Sequence, residues 1–261
     1  MDRLRVPVTA VLAVLVVLGL AAPANALVRD PGGDVALLRT ADSATTATTT
    51  AAAATTVTLD GVTVGLPAAG RQVVTVNHTT GHEARVTLWQ RDQQGWHVLA
   101  RSRDGRIGYG GLVPARQRRQ ATGSTPLGTF GLLWAFGSHP RADSWHLDYR
   151  MVRAGDYWVE DNGSAYYNRY RNKAEGGFRW WLPLSDANSS ERLRHYPTQY
   201  EYSVVIGFNY ATPVRHRGAG IFLHVNGRGA TAGCVSAPRW FIQRVMATLD
   251  PAQEPVIAIG R

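Results

Sequence analysis

The chain has 261 residues, a formal net charge of +9 and a single cysteine. One cysteine excludes an internal disulfide framework, and eight Trp, ten Tyr and six Phe exclude a wholly disordered chain. The positive charge suits an anionic partner: nucleic acid, a membrane or a cell-wall polymer.

Residues 1–26 read as a signal peptide. Arg3 and Arg5 give a charged start, Val6 to Ala22 is an apolar run, and Ala24-Asn25-Ala26 is a small-x-small cleavage site. The alternative is an uncleaved membrane anchor, for which the run is about long enough. Removing this segment, with Arg3, Arg5 and Asp2, leaves a charge of +8. Export makes a cell-wall polymer the favoured anionic partner. Residues 27–56 read as a tether, because Ala44 to Thr56 holds only Ala and Thr and cannot build a packed core.

The folded part is expected over 57–261, long enough for one domain with a real core. Alternation of apolar and polar residues predicts strands at 73–77, 84–90 and 96–100. Gly81 separates the first two, and Asp92 to Gly95 forms a turn before the third. Arg116-Gln117-Arg118-Arg119 reads as a solvated loop. Further strands are expected at 127–134, 147–153, 202–208, 221–225 and 255–259. The fold class is mainly β with short helices, a single sandwich- or barrel-like domain. Segment 154–200 is rich in aromatic residues and poor in periodicity. It reads either as a lid or cleft wall, with Tyr167 and Asn168 facing substrate, or as an aromatic cluster over a sheet edge. One helix follows Ser236. Ser236 serves as its cap, Pro238 lies in its first turn, and Phe241, Val245 and Leu249 form one buried face. Asp250-Pro251 ends it.

The chemistry centres on Cys234, in Thr231-Ala232-Gly233-Cys234-Val235-Ser236, and on His224, ten residues upstream in an apolar strand. A lone cysteine in an exported chain is a partner for another chain, an inert buried thiol or a nucleophile. A nucleophile needs a base and oxyanion donors. His224 is the candidate base, and the N–H groups of Gly233 and Cys234 are the candidate donors. Placed just before a helix N-terminus, the thiol is expected to ionise easily.

The segment 221–236 resembles the catalytic segment of the L,D-transpeptidase (YkuD-like) family, in which a histidine precedes a Ser/Thr-His-Gly-Cys motif. The family's Thr-Pro-x-Gly-x-Phe signature is matched by Thr125-Pro126-Leu127-Gly128-Thr129-Phe130, and its glycine-rich lead-in by residues 106–111. The resemblance spans about 106–236. It implies a β-rich fold and cysteine acyl transfer on peptidoglycan stem peptides. Cys234 would attack the carbonyl of the third stem residue, releasing the terminal D-alanine. The acyl group would pass to a side-chain amine on another stem, forming a 3→3 cross-link. His224 would act as base and then acid, Gly233 and Cys234 would form the oxyanion hole, and Thr231 and Thr125 would face substrate. No cofactor is implied, and a monomer is expected.

The sequence departs from that pattern. The His–Cys spacing is shorter than usual. Ala232 replaces a histidine, Ser236 an asparagine or arginine, and Val225 a glycine. The match covers nucleophile and base but not acceptor handling, so an L,D-carboxypeptidase on the same fold stays open, as does a non-catalytic wall-binding module. In papain-like wall hydrolases the cysteine precedes the histidine, the reverse of the order here. Other chemistries find little support. Gly81 and two threonines separate His78 from His82 and spoil a helical metal pair. Gly108 to Gly111 lacks the Lys-Ser/Thr of a phosphate loop. No nucleic-acid-binding module appears.

Overall fold

A computed structural model describes residues 55–261. The signal peptide expected over 1–26 and most of the tether lie outside the described residues. The last two tether threonines do not: Thr55 and Thr56 open β1 (Thr55–Leu59), which pairs antiparallel with β2 (Val62–Leu66). Asp60 and Gly61 turn between them with φ of 54° and 80°, the left-handed pair that a tight hairpin requires.

The chain continues as a meander of β3 (Gln72–His78), β4 (Glu83–Asp92) and β5 (Gly95–Arg106). After β6 (Leu112–Pro114) comes the longest strand, β7 (Thr125–Gly137), flanked by β8 (Tyr149–Met151). Three very short strands, β9 (Asp156–Trp158), β10 (Tyr170–Asn172) and β11 (Glu191–Arg192), form a separate small sheet. The core then resumes with β12 (Tyr202–Ile206), β13 (Phe222–Val225), β14 (Val235–Ala237), helix α1 (Arg239–Thr248) and β15 (Val256–Gly260).

Strands β12, β13, β14, β5, β4, β3, β15 and β7 neighbour one another in that order, and β7 also pairs with β12. The sheet therefore closes on itself as a barrel, which removes its edges. Its main core holds Val74, Val86, Leu132, Val204, Leu223 and Val235, together with Phe241, Ile242, Val245 and Met246 of α1. Side chains alternate along the strands, so Val74, Val76, Leu223 and Val225 point at this core while Val73 and Phe222 join clusters on the other face, and an i, i+4 face of the helix completes the core. The protein is mainly β, as its alternation predicts.

Two local expectations fail. Ser236 is not the helix cap. It sits in β14 and donates from Oγ to Asn226 Oδ1 at 2.7 Å, while Pro238 occupies the cap position without a side-chain bond. Cys234 consequently does not adjoin the helix N-terminus, because β14 intervenes. The order Ser-x-Pro mimics a cap, and a three-residue strand carries too little alternation to betray itself in sequence.

Candidate active site

Strands β13 and β14 run parallel, with Leu223 opposite Val235 and His224 opposite Ser236. One step back sets Phe222 opposite Cys234. Phe222 and His224 share a face because side chains alternate along a strand, so thiol and imidazole emerge on the same side. Leu223 and Val235 point the other way, into the barrel core. The face carrying Cys234 is covered by segment 154–200. Trp158 and Tyr200 pack there with Phe136 and Phe222, and their ring centroids lie 4.8 to 5.6 Å from that of Phe222. Both sequence readings of 154–200 hold in part: its aromatic side packs on the barrel, and its polar side walls a cleft.

That cleft, of about 400 Å³, is lined by Arg118, Glu160, Glu191, Tyr200, His224 and Cys234, among others. Cys234 and His224 are only 7 % and 6 % exposed. The Phe222 N–H donates to Cys234 Sγ at 3.4 Å, and the thiol donates to the Gly220 carbonyl at 3.2 Å. Burial, with Glu191 nearby, pushes the thiol well above its ordinary range. This reverses the expectation of an easily ionised cysteine: no helix end offsets the desolvation. Burial lowers His224 to about 4, against the opposing bond to Val225. Cysteine and histidine therefore rest as a neutral pair at neutral pH.

The imidazole is nonetheless set for one role. His224 Nδ1 lies 2.8 Å from the Val225 carbonyl, an acceptor only, so Nδ1 carries the proton. Nε2 is left with its lone pair, and no hydrogen bond to it is made among the described residues. The Tyr200 ring packs edge-on against the imidazole, 5.4 Å between centroids.

The loop before Cys234 is clamped by the other two motif segments. Gly108 bridges Thr231, the Tyr109 N–H donates to the Thr231 carbonyl at 2.9 Å, and the Thr231 N–H donates to the Ile107 carbonyl at 3.0 Å. Thr125 Oγ1, fully buried, accepts from the Gly108 N–H and donates to the Gly233 carbonyl, both at 2.8 Å. Thr231 Oγ1 accepts from the Gly233 N–H at 3.1 Å and donates to the Cys234 carbonyl at 2.6 Å. The three stretches that carry the sequence resemblance thus meet at the cysteine.

This geometry corrects several expected roles. Gly233 directs its N–H at Thr231 rather than into the cleft, so it is not an oxyanion donor here. Thr125 is interior and braces the loop. Tyr167 is buried, donating from its hydroxyl to Gln120 Oε1 at 2.8 Å and accepting from the Gly218 N–H at 3.0 Å. Asn168 is buried at φ 59°. Its Oδ1 accepts from Trp158 Nε1 and the Gly220 N–H, and its Nδ2 donates to the Phe208 and Asn209 carbonyls. Tyr167 and Asn168 hold the cleft wall to the barrel and do not line the cleft. Of the four expected substrate contacts, only Thr231 borders it.

Three charged residues were not foreseen here. Arg118, read as part of a solvated loop, is 5 % exposed and lines the cleft. Glu160 and Glu191 converge over Gly220. Glu160 Oε1 and Glu191 Oε2 lie 2.9 and 3.6 Å from where a Cβ on Gly220 would stand. Tyr200 donates its hydroxyl to Glu191 at 2.5 Å. Burial, with Glu191 adding its charge, raises Glu160 to about 8, and burial raises Glu191 to about 7. These values belong to the pair, which holds proton between its two carboxyls near neutrality. Their spacing of 31 residues, with no shared element, gave no sequence signal.

Comparison with protein-family models, curated proteins and solved structures finds no match for this chain.

Proposed function

We propose that the protein is an exported cysteine acyltransferase acting on peptidoglycan stem peptides, with Cys234 as nucleophile and His224 as base. The observation that carries this reading is the placement of the chain's one thiol and a tautomer-fixed imidazole on one face of adjacent parallel strands, at the floor of a cleft. The clamping of the cysteine loop by the Thr-Pro and glycine-rich segments supports it. In the resting protein the thiol bonds to Gly220, so attack requires rotation of Sγ toward His224 Nε2. Such tightening on substrate binding is common for catalytic pairs. The imidazole takes the thiol proton as sulfur adds to the stem carbonyl, then returns it to the departing D-alanine amine. An acceptor amine completes transfer as a 3→3 cross-link. The charge of the exported chain suits an anionic wall.

The test is mass spectrometry of the purified protein incubated with tetrapeptide-stem muropeptides, beside Cys234→Ala. A cross-linked dimer formed only with Cys234 present is the expected result. A tripeptide product without dimer makes the protein a carboxypeptidase using the same acyl-enzyme. Absence of any Cys234-dependent product refutes the enzyme reading and favours wall binding alone.

A further inference from the structure

With the Gly233 N–H committed to Thr231 Oγ1, the cleft lacks one of the oxyanion donors expected beside Cys234. We propose that Arg118 fills that place: its Nη2 stabilises the oxyanion formed when Cys234 attacks a carbonyl. This inference rests on the acyl-transfer reading above.

Arg118 is held rigidly and left with one group unspent. Nε donates to the Ser124 carbonyl at 2.7 Å and Nη1 to the Arg217 carbonyl at 3.1 Å. The guanidinium carbon lies 5.5 Å from the Phe208 ring centre. No carboxylate pairs with this arginine among the described residues, and Nη2 has no hydrogen-bond partner there. Nor is Nη2 sealed in the interior, since it is not among the fully enclosed polar side-chain atoms that lack a hydrogen bond. It opens on the cleft that Arg118 lines.

Two glycines clear its path. A Cβ on Gly218 would stand 1.4 Å from Nη1, and one on Gly233 would stand 2.7 Å from Nη2. Both residues have φ in the left-handed range, +106° and +129°, which other residues adopt only at a cost. The guanidinium therefore passes between two places that a side chain would block, and Nη2 emerges beside the residue preceding the nucleophile. Glu160 acts on this guanidinium through space without bonding to it, and a mostly buried cation with no hydrogen-bonded counter-ion is costly. It is useful where negative charge develops during reaction, because a fixed charge then needs no reorganisation.

In the step, the Sγ–H proton moves to His224 Nε2 and a C–S bond forms. The carbonyl π pair moves onto oxygen, where the Nη2–H donates. Collapse re-forms the carbonyl and breaks the bond to the leaving amine of the stem peptide or aryloxide of the ester, which takes the proton from His224.

The test compares parent, Arg118→Ala and Arg118→Lys by pre-steady-state acylation. Two donors are used, 4-nitrophenyl acetate and a tetrapeptide-stem muropeptide, with iodoacetamide alkylation as a reaction that forms no oxyanion. In Arg118→Ala the limiting acylation rate should fall about 10²–10³-fold, the usual loss for one oxyanion donor. KM should hold, and alkylation near neutral pH, in which Arg118 meets only a transient thiolate, should fall by far less than acylation. Added guanidinium at tens of millimolar should restore acylation by about tenfold or more by refilling the site. Arg118→Lys keeps the charge and decides the matter if the alanine variant does not fold. A raised KM with kcat unchanged overturns the proposal, since it describes a clamp for a substrate carboxylate. Equal losses in acylation and alkylation overturn it too. A parent that acylates from the ester but not the stem peptide removes only the stem-peptide reading, and the Arg118 effect is then read on the ester. A parent that alkylates but acylates from neither donor overturns both.

Discussion

Thr125 offers the sharpest separation between contact with substrate and support of the cysteine loop. Its Oγ1 is the sole acceptor described for the Gly108 N–H and donates to the Gly233 carbonyl, in a position with no solvent access. Thr125→Val keeps the shape and removes both bonds. Each buried group left unpaired costs about 1–3 kcal/mol, and the extra buried methyl returns about 0.8 kcal/mol. The net loss should be about 1–5 kcal/mol, read as a lower midpoint in urea unfolding with an unchanged slope. Thr125→Ser keeps the hydroxyl and should lose about 1 kcal/mol or less. Because Gly233 directly precedes the nucleophile, the valine variant should also lose Cys234-dependent acylation out of proportion to its folded fraction. A valine variant as stable as the parent would refute the reasoning, and a large loss in both variants would assign the effect to packing instead.

Two more outcomes are expected. For the carboxyl pair the sign follows from linkage: raised native values mean that the folded state holds more proton than the unfolded chain from the ordinary carboxylate range up to about 8. Stability is therefore highest below that range and is lost as pH rises through it. His224 acts oppositely between its native value of about 4 and the ordinary 6.5, and the raised Cys234 thiol acts in the same sense as the pair at higher pH, so the pair dominates between about pH 7 and 8. Thermal scans should show Tm falling across that interval, by on the order of a few degrees, and Glu160→Gln should flatten the slope; a Tm that rises there contradicts the assignment. Asn168→Asp replaces one amide nitrogen by oxygen and turns it on the carbonyls of Phe208 and Asn209. Unfolding free energy should drop by about 3 kcal/mol or more, whereas a near-neutral change would show that Asn168 is not the interior tie described here.

The barrel was legible because seven of its eight ring strands alternate or run apolar over four or more residues, enough for the pattern to rise above chance. Strands β6, β8, β9, β10, β11 and β14 have three residues or fewer, and β8 alone fell within an expected strand. Cys234 and His224 stood out as the lone thiol and a nearby histidine, ten residues apart, and their strands proved to be neighbours. Arg118, Glu160 and Glu191 were illegible for a different reason. They reach the cleft from three separate segments, and only the closure of the barrel and the path of 154–200 bring them there. Thr125 and Asn168 were noticed for the right motifs and given the wrong task. Polar residues that satisfy buried backbone groups look, in sequence, the same as residues that meet a substrate.

On the acyl-transfer reading proposed above, the cleft holds the reacting groups neutral at rest and offers a partner to each charge that attack would create. In the free protein, burial holds Cys234 as thiol and His224 as neutral imidazole, so the nucleophile carries no standing charge. Attack creates two charges at once, an oxyanion and an imidazolium. The imidazolium keeps its Nδ1–H on the Val225 carbonyl, a bond that strengthens when the ring is charged. The oxyanion meets Nη2 of Arg118, the donor left without a partner in the resting protein. Contacts that gain strength only as charge develops lower the barrier without tightening ground-state binding. A preformed thiolate would instead draw on Arg118 before any carbonyl arrived, weakening the same advantage. A buried, neutral thiol beside an unspent guanidinium is thus a coherent arrangement for acyl transfer, although it is the reverse of the helix-activated cysteine that the sequence suggested.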